Sequence, residues 1–353
     1  MPAHTPAKRF FTKNLLKWHH EENDRDLPWK NENDPYKIWL SEIILQQTRA
    51  EQGRPYYEKF IAAYPTVQHL AAAPEDEVFL LWQGLGYYNR CRNLLATAKN
   101  ITENFGGDFP QEYELILSLK GVGEYTAAAI GSFAFDLPHA VVDGNVYRVL
   151  SRYFGIELPI DSTAGKLYFK ELAATLLCTE APATYNQAIM DFGSSVCKPK
   201  SPECYTCPLI SKCVAYMQGL VLLLPIKEKK ILVKQRHFHY LILQVGDLIY
   251  LQQRTSKDIW QNLFEFYLIE SEHPFYSDVA WQSIKPFVLE LSESTYTNRQ
   301  RLTHQLIISD FYYVKLKSIP PSLKSGIWVQ QAFFKNYAFP KTILSFSDRK
   351  KYF

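Results

Sequence analysis

The sequence predicts a chain in two parts: an all-α core over residues 1–216, built on a helix-hairpin-helix and closed by a metal-binding cysteine loop, and then an α/β domain over residues 237–353. Three observations carry this. Up to about residue 215 apolar residues recur at helical spacing, whereas strand-like alternation sets in only after residue 236. A Gly-x-Gly bend at Gly121 and Gly123 separates two helical patterns. Four of the six cysteines fall between residues 197 and 213, too crowded for ordinary core positions.

Composition narrows the class. At 353 residues with 47% hydrophobic content the chain can bury two cores, which argues against disorder. Its longest apolar run, "GLVLLLPI" at 219–226, is far short of the ~20 residues of a membrane span. No secretory signal pattern opens it. The expectation is a soluble, monomeric protein of the cytoplasm, with no membrane partner. Its net charge of +3 hides a split: residues 1–215 hold 21 Lys/Arg against 25 Asp/Glu, and residues 216–353 hold 18 against 11. If the first part binds phosphate, it must do so with local donors rather than a broad positive field.

Along the chain, "NDPYKIWLSEIILQQT" reads as a helix with Asp34 at the N-cap and Pro35 at the first helical position. Ile38, Trp39 and Leu45 stand three or four residues from Glu42 and put this carboxyl on an apolar face. Such a placement is costly. Lifting a Glu pKa from about 4.3 to about 6.3 costs roughly 2.7 kcal/mol, and it makes a proton available near neutral pH. Next, "EYELILSLKGVGEYTAAAI" gives the hairpin over about 111–134, where both glycines permit φ > 0 and expose amides at a helix N-terminus, a phosphate site without a lysine. In "HAVVDGNVYRVLSRYF", Asp143 precedes a new helix, whose free N–H groups favour its anion. One carboxyl pushed up and one held down form an acid and an anion stabiliser, as used to break glycosidic bonds.

The cysteines form a C-x6-C-x2-C-x5-C array, Cys197, Cys204, Cys207 and Cys213. Crowded thiolates repel unless a cation gathers them. Structural zinc prefers two short pairs, and only Cys204 and Cys207 make one, so the spacing suits an iron-sulfur cube better, with zinc as the alternative. Lys198, Lys200 and Lys212 make these loops basic, while Cys91 and Cys178 read as buried thiols. Residues 217–236 form a basic linker. Beyond it, "HFHYLILQVGDLIYLQQR" predicts two strands about a Gly-Asp turn, with "NLFEFYLIE" and "QLIISDFYYVKL" as further strands.

Together with "LWQGLGYYNRCRNL" and "YNQAIMDFGSSVC", these motifs occur in the order of the adenine DNA glycosylase (MutY) family, within the endonuclease III or helix-hairpin-helix superfamily, which the chain resembles from about residue 10 to 215 and more weakly to its end. The resemblance implies a helical glycosylase core with a 4Fe-4S cluster on the four cysteines and a Nudix-like C-terminal domain. It implies that Glu42 protonates adenine N7, that Asp143 stabilises an oxocarbenium-like sugar, and that Asn145 assists. The partner would be double-stranded DNA with adenine opposite 8-oxoguanine or guanine. Where strand-cutting relatives carry a nucleophilic lysine, this chain has Tyr125, expected to orient Asp143 and exclude water. By position Gln47 and Tyr87 correspond to wedge residues, and Arg25, Trp29 and Gln187 to the pocket of the extruded base. Leu302, Thr303 and His304 stand where relatives carry a Phe-Ser-His lesion-reading loop, so the aromatic contact is lost. No Nudix box is present, so the last domain is expected to bind without hydrolysing nucleotides.

Rival readings have less support. A zinc deaminase could use His19-x-Glu21, but Glu203 intervenes between Pro202 and Cys204. A non-catalytic DNA-binding protein has no use for Glu42 with Asp143. A bifunctional glycosylase-lyase needs the amine that Tyr125 lacks.

Overall fold

The structure is a computed structural model, and it describes residues 5–30, 32–228, 232–323 and 325–350. Residues 229–231 of the basic linker lie outside the described residues. By packing, the chain forms two units, residues up to 72 with 93–228, and residues 73–92 with 232–350. The segment 73–92, which the sequence places within the helical core, therefore groups with the C-terminal residues. Local bonds explain it: Asn262 donates to Glu75 at 2.6 Å, Arg92 to the Gln261 carbonyl at 2.9 Å, and the Phe339 amide to Gln83 at 2.8 Å.

Helices run in order as α1 (Thr5–Glu21), α2 (Pro35–Leu45), α3 (Ala50–Ala63), α4 (Val67–Ala72), α5 (Glu75–Trp82), α6 (Asn89–Asn104), α7 (Tyr113–Ser118), α8 (Glu124–Phe135), α9 (Gly144–Phe154), α10 (Thr163–Leu176), α11 (Pro182–Ser195) and α12 (Val214–Met217). In α1 the residues Phe11, Leu15 and Trp18 fall on one face, and all three are buried against α9 and α11 residues. Each contributes roughly 2 kcal/mol of burial. Helix α8 begins "EYTAAAIG", and its small side chains are nearly all buried where it packs on α2. That close packing brings Tyr125, in its first turn, up to Glu42 of α2.

The hairpin joins α7 to α8 across residues 119–123. Gly121 takes φ +81°, and a Cβ there would lie 2.7 Å from Asn93 Cβ, so only glycine fits. Gly123 departs from the expected positive φ: its φ is −99°, with open space where a Cβ would be. It caps α8 without a side chain, so no cap side chain accepts from the first amides of that helix.

The C-terminal unit is built on a mixed sheet of β1 (Lys234–Val245), β2 (Leu248–Gln253), β3 (Phe264–Glu265), β4 (Tyr267–Glu270), β5 (Val288–Leu291), β6 (Tyr296–Arg301), β7 (Gln305–Leu316) and β8 (Ile327–Gln330). Strands β1 and β7 pair in parallel from Lys234↔Gln305 to Gln244↔Lys315, and the other pairs are antiparallel. One face buries Leu241, Leu243 and Val314 with Trp281 and Ile284 of α13 (Val279–Ile284). On the other, Phe346 of α14 (Lys341–Lys350) stacks on Phe311 at 4.4 Å. The predicted strands at 237–254, 262–270 and 305–316 are present. Strand β6 escaped prediction because "YTNRQR" alternates between half-buried and exposed polar side chains, which gives no apolar period to read.

Candidate active site

The first unit encloses a cavity of about 1030 Å³, walled by α2, α8, α9, α11 and the loop before α2. Asp34 starts α2 as expected, its side chain accepting from the Tyr36 amide at 2.9 Å with Pro35 in the first turn. Two turns on, Glu42 reaches the cavity wall 6% exposed, beside Ile38 and Leu45. Burial pushes its carboxyl up to about 7; the Asp143 charge adds to the rise, and a hydrogen bond from Tyr125 opposes it. The phenol of Tyr125 is itself held well above its ordinary value, chiefly by burial and then by both carboxyls. It therefore stays a neutral donor at any physiological pH.

This differs from the orienting role expected of Tyr125. Its hydroxyl serves Glu42, and Asp143 is oriented by α9. Asp143 caps that helix, with Oδ1 accepting from the amides of Asn145 at 2.9 Å and Val146 at 2.8 Å. Its Oδ2 accepts from Asn145 Nδ2 at 2.7 Å. Arg148 completes the support by donating to Asn145 Oδ1 at 2.7 Å and to the Gly193 carbonyl at 2.6 Å. The segment leading to Asp143 is tacked down by Asn186, which accepts from the Val141 amide and donates to the His139 carbonyl and Ser132.

A second difference concerns charge. Asp143 was expected to have its pKa held down, yet burial pushes it up, and the donors of Val146 and Asn145 and the Arg148 cation only hold back that rise. Both carboxyls are raised because both face the same desolvated space. Their donor sets still separate them. Glu42 receives one neutral hydroxyl, whereas Asp143 receives three N–H groups backed by a guanidinium, so Asp143 carries the anion more readily.

Four of the expected base-pocket and wedge residues, Arg25, Trp29, Gln187 and Gln47, also line this cavity. Trp29 packs edge-on against Tyr57 at 5.5 Å. Gln47 takes φ +58° and Tyr87, 46% exposed in the other unit, takes φ +49°. Non-glycine residues in this region are strained, and such strain concentrates at functional positions. The sequence missed Asp191, Ser194, Met190 and Tyr147 in the cavity wall. For Asp191 a signal existed, since it follows Gln187 by one helical turn.

Gly121 and Gly123 do not line the cavity, and neither does Lys120, the lysine nearest Tyr125 in the sequence and so the nearest amine that could stand in for a strand-cutting nucleophile. In the C-terminal unit Leu302, Thr303 and His304 form the tip of the β6–β7 hairpin, closed by the Leu302 amide on the Gln305 carbonyl at 2.8 Å. Tyr87 Oη and Thr303 Oγ1 share a hydrogen bond of 2.9 Å, which joins two predicted DNA contacts within that unit.

All four cysteines of the array are partly buried, and Cys197, Cys207 and Cys213 pack against the core of the first unit. They lie within electrostatic reach of one another: burial pushes Cys204, Cys207 and Cys213 up, and neighbouring thiols add to each rise. Among the described residues, no three His, Cys, Asp or Glu side chains converge closely enough to hold a single ion. Arg152 of α9 donates to Cys197 Sγ at 3.4 Å and to the carbonyls of Lys198 at 2.8 Å and Pro199 at 3.1 Å. Of the lysines here, Lys198 pairs with Glu203 and Lys212 lies 4.4 Å over the Phe10 ring. Cys91 is buried as expected, but Cys178 is partly exposed, its thiol 3.4 Å from Glu180.

Comparison with known proteins places this geometry among DNA-repair folds. Residues 40–167 match the HhH-GPD superfamily of base excision DNA repair proteins. The chain is 32% identical over 342 residues to the adenine DNA glycosylase of Buchnera aphidicola subsp. Schizaphis graminum, spanning 94% of this chain and 96% of that one. It is 41% identical over 214 residues to the human adenine DNA glycosylase, which covers 58% of this chain and 39% of the human protein. Among solved structures, a thermostable thymine-DNA glycosylase aligns with TM-score 0.56 at 31% identity over 60% of this chain and 98% of its own. An endonuclease III from a non-covalent DNA complex aligns with TM-score 0.53 at 22% identity, a likeness of fold alone.

Proposed function

The chain belongs to the adenine DNA glycosylase family, and from that premise we propose that it is a base-excision-repair enzyme that hydrolyses the N-glycosidic bond of adenine opposite 8-oxoguanine or guanine in duplex DNA. The observation that carries this is the pairing of Glu42 and Asp143 in one cavity, the first with its pKa near 7 and the second ringed by N–H donors. Adenine leaves well only as a neutral base. Glu42, protonated at neutral pH and steadied by Tyr125, delivers a proton to N7. Asp143 faces the sugar as positive charge develops at C1′, and Asn145 keeps it aimed there. Water takes C1′ and leaves an abasic site.

The mode is monofunctional. Schiff-base chemistry needs an amine at the reacting carbon, and the residue placed for it is Tyr125, whose phenol is tied to Glu42. Lys120 lines no part of the cavity.

Duplex DNA is the partner. The amides at the start of α8, which no cap side chain engages, hold a phosphate beside the hairpin. Gln47 and Tyr87, both in strained backbone conformations, are each suited to fill the stack when adenine leaves it. Preference for adenine over thymine rests on coverage: the thymine-DNA glycosylase matches 60% of this chain, and the adenine glycosylase of Buchnera matches 94%. The C-terminal unit acts as a Nudix-like reader, with Thr303 and His304 at an exposed hairpin tip offering hydrogen bonds to 8-oxoguanine. Cys197, Cys204, Cys207 and Cys213 hold a 4Fe-4S cluster. Four cysteines with no histidine suit it, and the buried Arg152 against Cys197 supplies a counter-charge. When bound, the cluster cross-links the loop that carries it. The enzyme works as a monomer, in the cytoplasm where the DNA is.

The test is single-turnover base release from duplexes carrying adenine opposite 8-oxoguanine, guanine or thymine, scored for strand cuts before and after alkali. Release should be fastest opposite 8-oxoguanine, with scission only after alkali. Full-rate scission without alkali, or no adenine release, would replace this reading with the lyase.

A further inference from the structure

We propose that Asp191 is a positioning residue of the base pocket: its buried carboxylate clamps the 23–30 loop onto α11, and through Arg25 and Trp29 that clamp sets how tightly the extruded base is held. This deepens the glycosylase reading and rests on it.

The side chain of Asp191 is completely buried, and both of its oxygens are engaged by the loop. Oδ1 accepts from Arg25 Nη1 at 2.9 Å, and Oδ2 from Asn23 Nδ2 at 2.9 Å, with Lys30 Nζ at 3.4 Å. Lys30 also donates to the Arg25 carbonyl at 2.9 Å. The loop has no helix or strand of its own, so one carboxylate and the groups it gathers fix its shape. A desolvated anion tolerates burial only while its cations stay close, and this pulls the loop inward.

What the clamp presents is a binding wall. Arg25 spends Nη1 on Asp191 and on Ser194 Oγ at 2.8 Å, while its Nε and Nη2 make no hydrogen bond to the described residues. Its guanidinium lines the cavity and keeps two donors for a ligand. Trp29 is carried by the same loop. Gln187 projects from α11 one turn before Asp191, so the clamp also sets the register of the loop against that amide. Asp191 has no free oxygen to offer a base, and it does not touch Glu42, whose partners are Tyr125 and Asp143. It acts on the hold, not on the proton.

The experiment compares Asp191→Asn, Arg25→Leu and the double variant in the full chain. Hydrogen exchange of the 23–30 amides is read without DNA, and single-turnover release with adenine opposite 8-oxoguanine. Asp191→Asn should speed exchange across the loop and raise the half-saturating enzyme concentration about tenfold, with a much smaller change in the limiting rate and none in its pH midpoint. On the Arg25→Leu background, Asp191→Asn should weaken binding by much less than tenfold, because only the Asn23 and Lys30 contacts remain for it to release. Unchanged exchange, additive effects, or a loss confined to the limiting rate would overturn the proposal. If Asp191→Asn fails to fold, Asn23→Ala and Lys30→Met loosen the same clamp from the loop side, and unchanged exchange in both would overturn it equally. Should the wild type release no adenine, the functional reading fails, while the exchange data still decide the clamp.

Discussion

Glu42 illustrates what a buried carboxyl costs the fold that carries it. With its carboxyl raised from an ordinary value of about 4.3 to about 7, the folded chain binds a proton there that the unfolded chain gives up between those values. The stability this confers is complete below about pH 4 and is lost as pH rises through 7. Glu42→Gln should therefore match the wild type at pH 4 and exceed it at pH 8 by about 3 kcal/mol, read by denaturant unfolding at both pH values. At this scale part of the site was legible. Large apolar residues one turn either side of Glu42 announced its burial. Tyr125 as its partner was not legible, because only the packing of α8 on α2 brings them together. For Asp143 the sequence displayed the helix N-terminus that lowers a pKa, but the burial that outweighs it is tertiary.

Elements aim these residues, and their contacts are tight where the aim matters. Helix α11 crosses α9 at Gly193, where an added Cβ would fall 2.6 Å from Asn145 Cβ and 3.1 Å from its backbone. Something must shift, and Asn145 is the residue that holds Asp143. Gly193→Ala should leave a cooperatively folded protein whose single-turnover rate falls roughly a hundredfold, since small misplacements near reacting groups carry that order of loss. Circular dichroism melting and base release on one sample would check it. The helices α2, α8 and α9 could be read from Asp34, Gly123 and Asp143 at their starts, because caps are local chemistry. Strands β5, β6 and β8 could not. They are short or polar and exist by pairing with β7 or β2, which no local pattern encodes.

For the molecule as a whole, the change from helical to alternating texture near residue 236 marked the start of the sheet, but not that residues 73–92 would group with it. That grouping depends on single bonds from Glu75, Gln83 and Arg92 to residues far along the chain. The cysteine loop is a whole-chain matter too, since Arg152 joins it to the helix that Asp143 caps. The anaerobically purified protein should carry about four irons per chain, and Cys204→Ser should lower both iron content and melting temperature. The account turns, finally, on one acid and one anion sharing a cavity. Its most direct test is the single-turnover rate of adenine release from a duplex with adenine opposite 8-oxoguanine, measured across pH 4 to 9 for the wild type and Glu42→Gln. The account predicts a bell whose basic limb turns near pH 7 and whose acidic limb reports Asp143, with release abolished in the variant. A rate that stays level through pH 7 to 9, or a variant that releases adenine at the wild-type rate, would contradict it.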